Sequence, residues 1–168
     1  MRRVLIPVDS SRNSELAVQH VVKEFMNNTA MEIHLLNVQS PFSREVARFL
    51  SGKTLHDYHR DQAENVLAPI KKMLDAYGVP YSAHAEVGDR AKSIAVSARR
   101  LHCDLIVMGT ARKNSLTRLV ENSVTNQVIA LTTVPVEVIA GDAVSGMERY
   151  GIPAAVGAAA ALLLLAAD

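Results

Sequence analysis

Asp104 to Val124, DLIVMGTARKNSLTRLVENSV, holds the residues of this chain best placed for chemistry. An apolar run, Leu105 to Met108, leads into Gly109, then a loop carrying Arg112, Lys113 and Arg118, then a helix start at Asn122-Ser123. In a parallel α/β sheet that order brings a strand's carboxyl end and a helix N-terminus to one crevice. Backbone N–H groups and the helix dipole favour an anion there. A second apolar run, Val4 to Val8, ends in Asp9-Ser10-Ser11, residues suited to a turn and a helix cap.

Other groupings point to less. His56 and His59 stand three apart beside Asp57 and Asp61, a spacing that sets ligands on one helical face, but a polar face of a soluble protein accounts for them without a metal. His102 and Cys103 are adjacent, and neighbours on an extending chain point apart, so the thiol reads as a small buried residue before a strand. The chain has no G-x-x-x-x-G-K-[ST] loop and no G-x-G-x-x-G. No catalytic residue is assigned.

The elements that must position these residues follow from periodicity. Strand patterns cover Val4–Val8, Met31–Val38, Tyr81–Val87, Asp104–Met108 and Val134–Ile139. Helical spacing recurs at Leu16, Ala17, Val21, Phe25 and Met26; at Val66, Leu67, Ile70, Met73 and Leu74; at Ile94, Ala95, Ala98 and Leu101; and at Val124, Val128, Ile129 and Leu131. The span from Ser43 to Tyr77 reads as a long second helix with a loop or break near Ser51-Gly52, closed by Gly78-Val-Pro80. Strands alternating with helices predict an open five-stranded parallel sheet with helices on both faces. Pro135 cannot donate to a ladder, which places the fifth strand at an edge, where pairing with a second copy would cover it.

From Arg3 to Ala140 the chain resembles the universal stress protein family. The resemblance rests on Val4-Leu-Ile-Pro-Val-Asp9, Leu35-Leu-Asn-Val38, Val87-Gly88, Met108-Gly109 and Asn122-Ser-Val-Thr125, in family order. It implies a Rossmann-like fold similar to the adenine nucleotide alpha hydrolases, in a stress-response module that acts as a homodimer. The nucleotide-binding branch carries G-x2-G-x9-G-[ST], and here Gly109 and Ser123 match while Arg112 and Asn122 stand at the second and third glycine positions. Asn tolerates the left-handed backbone region, whereas an Arg side chain fills space where backbone should touch phosphate, unless its guanidinium is itself an anion ligand. The departures resemble the branch with weak or no ATP binding.

Were ATP or AMP bound, the resemblance gives Asp9 a hydrogen bond to ribose or base, Val38 a place beside adenine, and Gly109, Ser123 and Val124 contacts to phosphate. Arg112 and Asn122 are the altered members of the same set, and Mg²⁺ enters only with ATP. Each residue also has an ordinary structural use: Asp9 caps a turn, Val38 fills core, Ser123 caps a helix, and Arg112, Lys113 and Arg118 solvate a loop. The alternatives are an ATP-binding protein with slow hydrolysis and a regulator held at a membrane by its tail.

That tail is the segment the family does not explain. Residues 1–140 make the domain, 141–151 a linker with three glycines, and 152–168 an apolar run ending LLLLAAD. Sixteen residues, Ile152 to Ala167, make a helix of about 24 Å at 1.5 Å per residue, short of a hydrocarbon core of roughly 30 Å. A helix packing on the domain or on a dimer mate is the leading expectation for it, ahead of a partial membrane anchor and then a disordered tail. Eighteen basic against seventeen acidic residues, net +1, give no field for nucleic acid. One cysteine and an N-terminus that enters a strand pattern directly suit a reducing cytoplasm. A protein partner is expected, its identity open.

Overall fold

The computed structural model describes residues 1–112 and 123–143. The elements run β1 (Arg2–Pro7), α1 (Arg12–Asn27), β2 (Met31–Gln39), α2 (Arg44–Ala47), α3 (Gly52–Ala76), β3 (Tyr81–Val87), α4 (Arg90–Arg100), β4 (Leu105–Arg112), α5 (Val124–Leu131) and β5 (Val136–Ala143). All five strands pair in parallel in the order β3-β2-β1-β4-β5. The chain moves outward from β1 in one direction through β2 and β3, then returns to lay β4 and β5 on the other side. The expected open parallel sheet is the one observed.

Strand pleating sorts the apolar runs onto two faces. Val4, Ile6, Val8, Leu105 and Val107 join one core with Ala17, Val21 and Phe25 of α1 and Leu67, Ile70 and Leu74 of α3. Leu5, Leu36, Ile106 and Met108 face the other way, onto Ile94 and Ala98 of α4 and Val128 of α5. Burial on both faces is why these strands read as continuous apolar runs instead of alternating ones.

Local sequence sets the helix ends. Ser11, Ser43, Ser51, Asp89 and Ser123 each occupy an N-cap with extended backbone, and each side chain accepts the N–H three residues on. Gly78, at φ 64°, ends α3 in the left-handed conformation. His102 takes the same conformation after α4, at φ 52°, where glycine would be the usual residue.

Several boundaries differ from the sequence reading. The long second helix forms as α2 and α3, interrupted before Gly52 as expected. β4 continues past Met108 to Arg112, and β5 runs from Val136 to Ala143, two residues later at its start and past the expected domain limit at 140. The two extensions pair with each other, Thr110 with Ala140 and Arg112 with Ala143 across an irregularity, and a backbone ladder needs no apolar side chain to propagate. Met26, Ile129 and Leu131 of the expected stripes are exposed, while Val18 and Val22 are buried in their place on α1. The basic loop, with Lys113, Arg118 and Asn122, and the apolar run from 152 to 168 lie outside the described residues. No helix among the described residues is long and apolar enough to cross a membrane.

Pro69 sits inside α3 on its exposed side, where it removes one helical hydrogen bond. Pro is about 3 kcal/mol less favourable than Ala in a helix interior, partly offset by its effect on the unfolded chain. Pro69→Ala is therefore expected to stabilise the domain by roughly 2 kcal/mol, read as a shift of the urea midpoint at unchanged slope.

Candidate functional site

Reversal of strand order between β1 and β4 leaves a gap at their carboxyl ends that no crossover covers. A cavity of about 280 Å³ opens there, walled by the β1 end (Pro7 to Ser11), the β2 end (Leu36 to Gln39), Met108 and Gly109 of β4, Val124 and Thr125 of α5, and Arg90 of α4. Ser14, Gln62, Val66 and Ile94 complete it. Its volume is at the small end for a ligand pocket.

Hydrogen bonding fixes the β1 end. The Ser11 N–H donates to Asp9 Oδ1 at 3.0 Å and the Ser11 hydroxyl donates to the same oxygen, which locks an Asx turn. Ser11 Oγ in turn accepts the Ser14 N–H at 3.3 Å, starting α1. The hydroxyl of Ser14, itself buried, lies 2.8 Å from the Asp9 carbonyl and 2.9 Å from that of Ser11. Both Ser11 donors reach Oδ1, so Oδ2 is the acceptor that Asp9 can offer a ligand.

Desolvation is the largest influence on that carboxyl and pushes its pKa up. The Ser11 hydroxyl and N–H, the Ser14 hydroxyl and the Arg90 charge together outweigh it, and the group lies below its ordinary value. Asp9 is thus held as a carboxylate, an acceptor only. Arg90, at the first position of α4, supplies a cation on the opposite wall.

On β2, Asn37 is buried and its Nδ2 donates at 2.8 Å to the Val8 carbonyl, a group beyond the last paired residue of β1. Its Oδ1 accepts from Gln39 Nε2. This bridge fixes the crevice floor next to Val38. Across the gap, Ser123 Oγ accepts the Asn126 N–H at 3.2 Å, and the α5 N-terminus is directed at the cavity through Val124 and Thr125.

Four of the residues singled out from sequence, Asp9, Val38, Gly109 and Val124, therefore meet in one cavity. Ser123 caps the adjoining helix without forming part of the wall. Arg112 lies on the β4 extension, three residues beyond Gly109, and Asn122 is outside the described residues. Sequence reasoning gave no site role to Arg90, nor to Ser11, Asn37 and Thr125, although Ser11 reads as part of a turn and cap and the other two stand in the motifs that carry the family resemblance. Asn37 carried the clearest signal, a lone amide inside an apolar strand run; Arg90, on a surface helix, carried none.

Gly109 has a second reason to be glycine. A Cβ placed there would sit 1.8 Å from the Asn13 carbonyl oxygen, inside the first turn of α1. Close packing of backbone on backbone requires the residue whether or not phosphate approaches.

Asp57 pairs with Lys53 and Arg60, and Asp61 with Arg60, while His59 stacks against Phe42 and Tyr58 at centroid distances of 5.1 and 5.8 Å. Burial, followed by the Asp104 charge, raises the Cys103 thiol to about 11, and a thiol so placed is not a nucleophile near neutral pH.

Sheet order, crossovers and crevice together define a Rossmann-like α/β domain with a cavity at the switch point. The sequence model of the universal stress protein family matches residues 1–140. Universal stress protein MJ0531 of Methanocaldococcus jannaschii is 31% identical over 141 residues, spanning 82% of this chain and 81% of that protein. Universal stress protein MJ0577 of the same organism is 29% identical over 153 residues, 82% of this chain and 94% of that one. Its solved structure superposes with a TM-score of 0.65 over 84% of this chain and 96% of that chain. A universal stress protein family protein from Arabidopsis thaliana, solved with AMP bound, shares the fold at a TM-score of 0.63 and 18% identity, covering 92% of this chain and 99% of that one. The chain belongs to the universal stress protein family.

Gly109→Ala is expected to cost 3 kcal/mol or more, at about the upper range for overpacking, because the atom it meets is backbone. Thermal unfolding without ligand measures this. A variant unfolding like the wild type would remove the packing reason for the glycine.

Proposed function

We propose that this protein acts by binding rather than turnover, as a stress-response module whose crevice takes an adenine nucleotide weakly, a monophosphate such as AMP in preference to ATP. The observation that carries the reading is the convergence of the Asp9 carboxylate, Val38, Gly109 and the α5 N-terminus on one cavity at the switch point. Asp9 would accept from the ribose hydroxyls or the base, and Val38 would lie against adenine. The N–H groups of Val124 and Thr125 would face phosphate, with Arg90 as its counter-charge. AMP in the Arabidopsis thaliana relative supports the ligand class. Arg112 and Asn122, at the family's glycine positions, favour one phosphate over three. Mg²⁺ would enter only with ATP.

The working unit in this reading is a cytoplasmic homodimer joined through β5, the edge strand beside β4, which exposes Val138.

Isothermal titration tests the ligand. AMP is expected to bind with a Kd of roughly 0.1–1 mM, about 4 to 5.5 kcal/mol, and Asp9→Asn, which keeps an Asx turn, is expected to abolish the heat. Because the Asp9 pKa is lowered, its charge is complete at neutral pH and is lost only as pH falls below about 4. The contribution of Asp9 should therefore be constant from pH 8 to about 5, and any weakening of binding over that range is expected to follow protonation of the AMP phosphate, whose second pKa is about 6. Low-micromolar ATP·Mg²⁺ binding with phosphate release would replace this reading with an ATPase. Sedimentation velocity tests the dimer: Val138→Lys is expected to give monomers, and a monomeric wild-type chain would end that part of the proposal.

A further inference from the structure

Far from the crevice, on the α1 side of the sheet, three side chains from distant parts of the sequence meet. His20 and Glu24 stand one turn apart on α1, and Glu137 comes from β5. One ligand atom from each lies within 4.8 Å of both others. His20 Nε2 is 2.8 Å from Glu137 Oε1 and 3.7 Å from Glu24 Oε1. A tetrahedral ion with bonds of about 2.1 Å sets its ligand atoms about 3.4 Å apart, so those two spacings bracket the required one and small side-chain rotations would satisfy it.

A second observation points to a ligand. Glu24 Oε2 is closed to solvent and has no hydrogen-bond partner among the described residues, and His20 Nε2, also closed to solvent, faces the two carboxylates. A buried carboxylate oxygen left open beside a second carboxylate is uncommon, and no hydrogen bond offsets its desolvation. The side chains as wholes remain about one-third exposed, at 35%, 32% and 34%, so an ion has a path in.

We propose that His20, Glu24 and Glu137 form a binding site for a divalent transition-metal cation, with Zn²⁺ as its best match. Two carboxylates balance the ionic charge, and a neutral imidazole selects against Mg²⁺ and Ca²⁺, which take oxygen ligands. Three protein ligands leave a fourth position open to water or a partner's side chain. The ion would clip the edge strand β5 to α1, and it would do so with no dependence on the nucleotide crevice.

The test uses the untagged full chain, stripped with chelator and titrated with ZnCl₂ by calorimetry. Co²⁺ provides a second probe through its visible absorption. One Zn²⁺ per chain is expected, with a rise in Tm as bound metal stabilises the fold. His20→Ala and Glu137→Gln are each expected to weaken binding by roughly tenfold or more, the scale set by losing even an outer-shell partner. Glu24→Gln gives a third reading that leaves β5 untouched, and circular dichroism shows whether each variant is folded. His56→Ala, on α3, is expected to bind as the wild type does. Absence of one-to-one Zn²⁺ binding, or binding undiminished in folded His20→Ala and Glu24→Gln, would overturn the site and leave a His20–Glu137 ion pair in its place.

Discussion

The first turn of α1 lies on the end of β4 so closely that no side chain fits between them: a methyl group at Gly109 would stand 1.8 Å from the Asn13 carbonyl oxygen. The rest of the crevice depends on that approach. It brings the turn after β1 up to the carboxyl end of β4, and the cavity is what remains between that turn, the β2 end and the α5 N-terminus. A larger residue at 109 would push α1 away, and Asp9 with it, because Asp9 is tied to α1 through Ser11 and Ser14. Core packing and ligand geometry are therefore not separable at this residue. A Gly109 variant that failed to bind the proposed nucleotide would report on both.

A similar double duty holds on the other wall. Asn37 spends its amide on the Val8 carbonyl, and that bond supports the strand end from which Asp9 projects. Buried polar groups are costly unless paired, and Asn37 is paired on both sides of its amide. Hydrogen bonds also set the charge state of Asp9, against the pull of desolvation toward the neutral form. What the structure builds at this end of the sheet is an acceptor with fixed position and fixed charge. A group arranged in that way suits recognition; a general base would be tuned toward neutral pH instead.

Much of the architecture was legible in the sequence because both faces of the sheet are buried. Val4–Val8 and Leu105–Met108 are runs that only a strand covered by helices on both sides can use, and the strand–helix alternation then fixes the topology to a few choices. Asp9, Val38, Gly109 and Val124 came from the family resemblance, and the structure brings the four to one cavity at the switch point. Side-chain placement across elements was not legible. Arg90 reaches the crevice only because α4 packs where it does. Glu137 meets His20 only because β5 lies beside α1, and residues separated by more than a hundred positions carry no local sign of contact. Strand limits were misjudged where composition stopped being apolar, as at Gly141, since ladder pairing is a backbone property that composition does not report.

The edge strand is where these constraints meet. β5 holds only one neighbour in the sheet, β4, so its free side must be shielded or paired, while its inner side is secured by α1 through Glu137 and His20. Pro135, just before the strand, gives its carbonyl to Ile106 and has no N–H to leave unpaired, which lets the strand begin at the edge without an orphan donor. A rigid, well-registered edge is what a two-fold pairing of β5 with β5 requires, because a slip of one residue would turn Val138 and Glu137 to the wrong faces. Whatever holds Glu137 against α1 therefore also holds the register of the edge that the proposed dimer would use. The α1–β5 contact and the α1–β4 contact at Gly109 are made by the same helix, so that single helix positions both the crevice and the edge.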